Sequence, residues 1–95
     1  MTITKTDEFA AWERNLRDAR ARAHVRARIF RLSLGNPGDV KPVGEGVSEM
    51  RIHCEPGYRL YFTQRGEEIV ILLLGGTKKT QFEDIELAKE IARNI

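Results

Sequence analysis

Residues 47–81 read VSEMRIHC, EPG, YRLYFTQ, RGEE, IVILLLGG and TKKTQ. Met50, Ile52 and Cys54 alternate with Glu49, Arg51 and His53, and Leu60 and Phe62 alternate with Arg59 and Tyr61. That is the period of strands with one apolar and one polar face. Residues 69–74 are apolar without alternation, which predicts a central strand covered on both faces. EPG and RGEE read as hairpin turns, so the three strands form an antiparallel meander.

Before the meander the period changes. Thr2 to Thr4 predicts a short strand, and Thr6 or Asp7 can cap a helix by accepting from an orphan backbone N–H. Phe9, Trp12, Leu16, Ala19 and Ala23 form one helical stripe. Val25, Ile29 and Leu32, with Ala27, Phe30 and Leu34 beside them, form a second. No Gly or Pro interrupts residues 7–34, yet one straight helix of that span would run about 42 Å at 1.5 Å per residue, longer than a domain this size is wide. Asp18 is a good N-cap, so a break there predicts two antiparallel helices. Residues 35–46, GNPGDVKPVGEG, read as a loop. Phe82, Ile85, Ala88, Ile91 and Ala92 predict a C-terminal amphipathic helix.

These elements amount to an α+β fold in a single domain over residues 1–95. A chain of 95 residues can bury one core, and 41% apolar with 32% charged residues suits a globular protein. Sixteen basic against fourteen acidic residues leave a net charge of only +2, so arrangement matters more than the sum. One cysteine excludes an internal disulfide and fits a reducing compartment; Cys54 alternates onto the apolar side and reads as a small core residue. The N-terminus lacks the apolar run of a signal peptide, and residues 69–74 are too few to span a bilayer. A cytoplasmic location without membrane contact is the expectation.

Candidate chemistry lies on the polar side of the meander. Arg51, His53, Arg59 and Tyr61 share that side, and Lys78 and Lys79 follow the last strand. A cluster of this kind is suited to phosphate, since the arginine fork binds two phosphate oxygens and keeps its charge. The arginines at 14, 17, 20, 22, 26, 28 and 31 mostly fall off the apolar stripes and read first as a solvated helix face. His24 reads as a surface residue, because no Cys, Asp or Glu stands at ligand spacing to it. Phosphate-loop, dinucleotide and nucleophile-elbow motifs are absent, and Gly75-Gly76-Thr77-Lys78-Lys79 lacks the Walker spacing.

The runs GVSEMRIHCEPGYRLYF, LLGGTKKTQ and DIELAKEIA resemble the phage-related addiction module killer branch of the RelE/ParE toxin superfamily, close to HigB-type toxins. The resemblance covers essentially the whole chain; its most specific pieces are E-x-R-I followed by GYR-x-YF, and GG-x-K-x-TQ. It implies a helical hairpin packed on one face of an antiparallel sheet. It implies a ribosome-dependent mRNA endonuclease that needs no metal or cofactor. A cognate antitoxin, often with a helix-turn-helix, would neutralise it, and operator DNA would be met only through that complex. Carried over residue by residue, Arg59 matches the arginine at the scissile phosphate, and Lys78 the basic residue after the last strand. Arg51 and Lys79 would hold substrate phosphate, and His53 would act as base or acid. Where some ribonuclease members place a tyrosine or histidine at the start of the last helix, this chain has Phe82, Glu83 and Asp84. Tyr61 is then the aromatic left to stack on a base, with ordinary sheet packing as the alternative.

Fold alone does not choose an activity. A ParE-like inhibitor of DNA gyrase that cleaves nothing is the second reading of the same resemblance, and a module that only binds its antitoxin is the third. The imidazole among phosphate-binding cations favours the nuclease. A monomer or small assembly is expected for the chain alone, and a hetero-oligomer with the antitoxin.

Overall fold

The computed structural model describes residues 1–95. Five strands and three helices follow in the order β1 (Thr2–Lys5), α1 (Asp7–Arg14), α2 (Ala19–Ser33), β2 (Val40–Gly44), β3 (Val47–Ile52), β4 (Tyr58–Arg65), β5 (Ile69–Thr77) and α3 (Gln81–Arg93). A 3₁₀ turn, Lys78–Thr80, joins β5 to α3. The sheet order is β1-β5-β4-β3-β2; β1 runs parallel to β5 and all other pairs are antiparallel.

Both helix starts near the N-terminus are capped by their own side chains. Thr6 Oγ1 accepts from Phe9 N at 3.0 Å and donates to Leu73 O at 2.7 Å, so one hydroxyl both starts α1 and fastens it to β5. Asp18 Oδ1 accepts from Arg20 N at 2.9 Å and Ala21 N at 3.4 Å, and the chain breaks between α1 and α2 at that residue. The predicted pair of helices is therefore present, but its first stripe ends at Leu16. Beyond the break Ala21, not Ala19 or Ala23, turns inward, because the new helix starts its own rotation.

Two cores lie on opposite faces of the sheet. On one, Phe9, Leu16, Ala21, Val25 and Leu32 of the helical segment pack on Met50, Ile52, Leu60, Phe62, Val70 and Leu72. On the other, Ala88 and Ile91 of α3 cover Val47, Tyr61, Leu73 and Leu74. A bulge sets Leu73 and Leu74 together on that side: Tyr61 pairs with Leu74 and Phe62 with Leu72, leaving Leu73 without an opposite residue. The apolar run of β5 thus serves both cores, as its lack of alternation implied. It is an interior strand, whereas the middle of the sheet is β4.

Three expectations need correction. Residues 35–46 are only partly a loop, since Val40–Gly44 adds β2 to the edge of β3. Pro42 is tolerated there because an edge strand has one side free of ladder bonds. The sheet is mixed, not a pure meander, because β1 joins it in parallel. Phe82, placed by its spacing on the buried stripe of α3, is 77% exposed, since it precedes the part of the helix that lies on the sheet.

A basic cleft as candidate functional site

The end of the sheet that α3 leaves uncovered carries the charges. Arg51 on β3 lies opposite Arg59 on β4, and Arg59 lies opposite Gly76 on β5. The side-chain period places both arginines on the face that α3 packs against, one pair beyond Glu49 and Tyr61. An open cleft of about 470 Å³ there is lined by Arg51, His53, Arg59 and Lys78 together with the turn at Glu55–Gly57. Glu55 is the one acid in that lining.

Lys78 reaches the cleft through the backbone. Its N–H donates to Gly57 O at 2.8 Å, and Gly57 N–H donates to Cys54 O at 2.7 Å, so the turn of EPG and the end of β5 are tied together. Gly57 has φ of +91°, a conformation in which a side chain would be strained.

Arg59 is 9% exposed, and its Nε is buried with no hydrogen-bond partner. No carboxylate stands within ion-pair distance of it. Leaving a buried charge uncompensated costs on the order of 3–5 kcal/mol, which makes this guanidinium a candidate group for an anion in the cleft. Arg51 is held differently: its Nε donates to Glu49 Oε1 at 3.1 Å, which leaves the two terminal nitrogens of the fork for another partner.

Glu49 is the residue that sequence reasoning missed. It is fully buried, and besides Arg51 it accepts from Tyr61 OH at 3.3 Å and from Gln81 Nε2 at 2.8 Å, so β3, β4 and α3 meet on one carboxylate. Its position in the E-x-R run was visible, but alternation reports the side of a strand and not what covers that side. The same cover removes Tyr61 from the expected base-stacking role. Its ring is fully buried under α3, and burial first, then the charge of Glu49, pushes its hydroxyl far above the usual tyrosine range. Lys79 is exposed on the 3₁₀ turn and does not line the cleft.

His53 stands at the rim with its side chain 73% exposed, Nε2 2.7 Å from Asp39 Oδ2. That hydrogen bond is the main reason that the Asp39 carboxyl lies below the usual range, with the charge of Arg51 and Arg28 adding to it. Asp39 sits in the glycine- and proline-rich segment before β2 and was not foreseen. Arg28 crosses from α2 to the same place: Nη1 donates to Arg51 O at 2.6 Å and Nη2 to Pro37 O at 3.0 Å. One of the seven arginines of the helical segment is therefore a fastening of β3 rather than a surface charge.

The short motifs have physical explanations in this geometry. A Cβ on Gly75 would lie 2.2 Å from the Trp12 ring, and one on Gly76 would lie 2.0 Å from Asp84 Oδ2, so each glycine admits a neighbour on a different face of the sheet. In the TQ pair, Thr80 Oγ1 donates to Asp84 Oδ2 at 2.6 Å and Gln81 to Glu49. Both fasten the start of α3 beside the cleft. A slightly larger groove, about 540 Å³, lies between the start of α1 and the end of α3, but there Lys5 faces Asp7, Glu8 and Glu90. It carries no comparable set of cations.

Fold and site together define a small α+β protein with a half-open cleft lined by Arg51, His53, Arg59 and Lys78, just before its last helix. The family described as Phage derived protein Gp49-like (DUF891) matches residues 7–93, and the chain belongs to it. It is a family of addiction-module killer, toxin-like proteins. An uncharacterised protein of Haemophilus influenzae is similar, with 44% identity over 93 residues that cover 98% of this chain and 94% of the relative.

Proposed function

We propose that the chain is the toxin of a type II toxin–antitoxin module of RelE/ParE type. In this reading it cuts mRNA on the ribosome without a metal and is neutralised by a cognate antitoxin. The observation that carries it is Arg59, nine-tenths buried, its Nε unpaired, and lining a cleft with Arg51, Lys78 and His53.

Cleavage of RNA begins when the 2′-oxygen attacks phosphorus and its proton passes to a base. The P–O5′ bond then breaks, and the leaving oxygen takes a proton from an acid, which yields a 2′,3′-cyclic phosphate and a 5′-hydroxyl. Charge that builds on the non-bridging oxygens needs preorganised cations. Arg59 and Lys78 fill that role, and the free fork of Arg51 holds a substrate phosphate. With Nε2 of His53 engaged by Asp39, its Nδ1 remains to take or give a proton.

Primer extension on a defined message in a translation extract tests this, with the Arg59→Ala variant beside the wild type. The expected outcome is cuts at defined positions that need translating ribosomes and fall at least a hundredfold with the variant. An intact message from a protein that still arrests growth would overturn the nuclease and point to gyrase.

A further inference from the structure

Helix α2 has a second apolar face. Its inward stripe is Ala21, Val25 and Leu32, flanked by half-buried Arg28 and Ile29. About 180° away around the helix, at 3.6 residues per turn, lie Ala23, Ala27 and Phe30, with Leu34 at the C-cap continuing the line. All four are exposed, Phe30 at 64% and Leu34 at 69%. A surface helix needs only its inward stripe, so this outer one contributes nothing to the core.

The spacing of the outer stripe is four, three, four, that of a two-helix seam with its apolar residues at alternating heptad positions. Alanine at 23 and 27 lets a second backbone approach closely, and Phe30 and Leu34 supply knobs. The flanks carry one sign of charge. His24 and Arg31 stand along one side and Arg26 along the other, and α2 contains no acidic residue. Neither Arg26 nor Arg31 makes an ion pair. Arg20 is likewise exposed and without an ion pair, whereas Arg22 donates to Leu16 O at 2.7 Å and Arg28 fastens β3, so those two are engaged in the fold.

We infer that the outer face of α2 docks an amphipathic helix of a partner protein, apolar along its contact seam and acidic on the flanks that meet Arg26 and Arg31. A nucleic acid would use the arginines but not the apolar line between them, and a second copy of α2 would set arginine against arginine. The apolar line of this face takes no part in the basic cleft, so the inference does not depend on the nuclease reading; only the His24 flank adjoins the cleft rim, at His53, Cys54 and Glu55.

The probe is a three-heptad synthetic peptide with leucine at the seam and glutamate on both flanks, whose own charges oppose self-pairing. It is titrated by fluorescence anisotropy into the full chain, and into Phe30→Ala and Ala27→Glu variants shown to be folded by circular dichroism. Binding by the wild type that weakens at least tenfold in both variants and with rising salt is expected. A matched peptide with lysine on the flanks should not bind. Absent binding, or equal binding of the two peptides, overturns the inference. So does a wild-type dimer in light scattering that Phe30→Ala dissolves, or single-stranded RNA binding that the same variant abolishes.

Discussion

Glu49 shows how much one side chain can organise. A fully buried carboxylate is tolerable only when its lone pairs are occupied, and here donors from β3, β4 and α3 occupy them. Glu49→Ala would leave Tyr61 and Gln81 without an acceptor and release Arg51. We expect a loss of about 3 kcal/mol or more, read from chemical denaturation. Arg59→Ala, in contrast, removes a charge that the folded chain leaves unpaired, so its stability should not fall. That opposition separates a residue that holds the cleft's walls together from one that the fold does not need. Arg51, Arg59, His53 and Lys78 were legible in the sequence because period two fixes their common side and Lys78 follows directly. Glu49, Asp39 and the burial of Tyr61 were not, because each depends on a distant segment arriving: α3 over the sheet, or the loop before β2 beside the rim.

At the scale of elements, each face of β5 is shaped by a glycine. Gly75 lies against Trp12, whose ring also meets Phe9 and Tyr58 with centroids 5.7 and 6.2 Å away. A methyl group 2.2 Å from that ring has no room, and overpacking of this kind costs about 1–3 kcal/mol. Gly75→Ala should therefore lower the melting temperature, and the loss should shrink when Trp12→Leu makes room in the same chain, a coupling that a double-mutant cycle measures. Helices α1, α2 and α3 and strands β3 to β5 were readable from their periods and caps. Strand β2 was hidden by Pro42 and its glycines, which spell a loop by composition. Only the pairing with β3 makes that segment a strand, and pairing is not a local property.

For the whole molecule, the two cores respond together to alkali. Burial raises the hydroxyls of both Tyr58, in the first core, and Tyr61, in the second. In the unfolded chain each loses its proton near pH 10, while in the folded protein both stay neutral beyond that. A raised folded-state value means that the stabilisation is fully present below pH 10 and falls as the pH climbs above it. Urea midpoints should hold steady from pH 7 to about 9.5 and then decline. Tyrosinate absorbance should rise with the unfolding transition and not before it. Two tyrosines titrating near pH 10 in a protein that remains folded would contradict the burial of both.

The parallel pairing of β1 with β5 sets Thr4 opposite Ile71, and the Thr4 hydroxyl donates to Val70 O, 66 positions later. A chain made from its N-terminus therefore carries β1 without a partner through most of its synthesis. Lys78, Gln81 and the helix that buries Tyr61 emerge later still. The arginines of β3 and β4 are thus translated before the cleft they line can assemble, and its walls and support are complete only once Lys78 and Gln81 have followed.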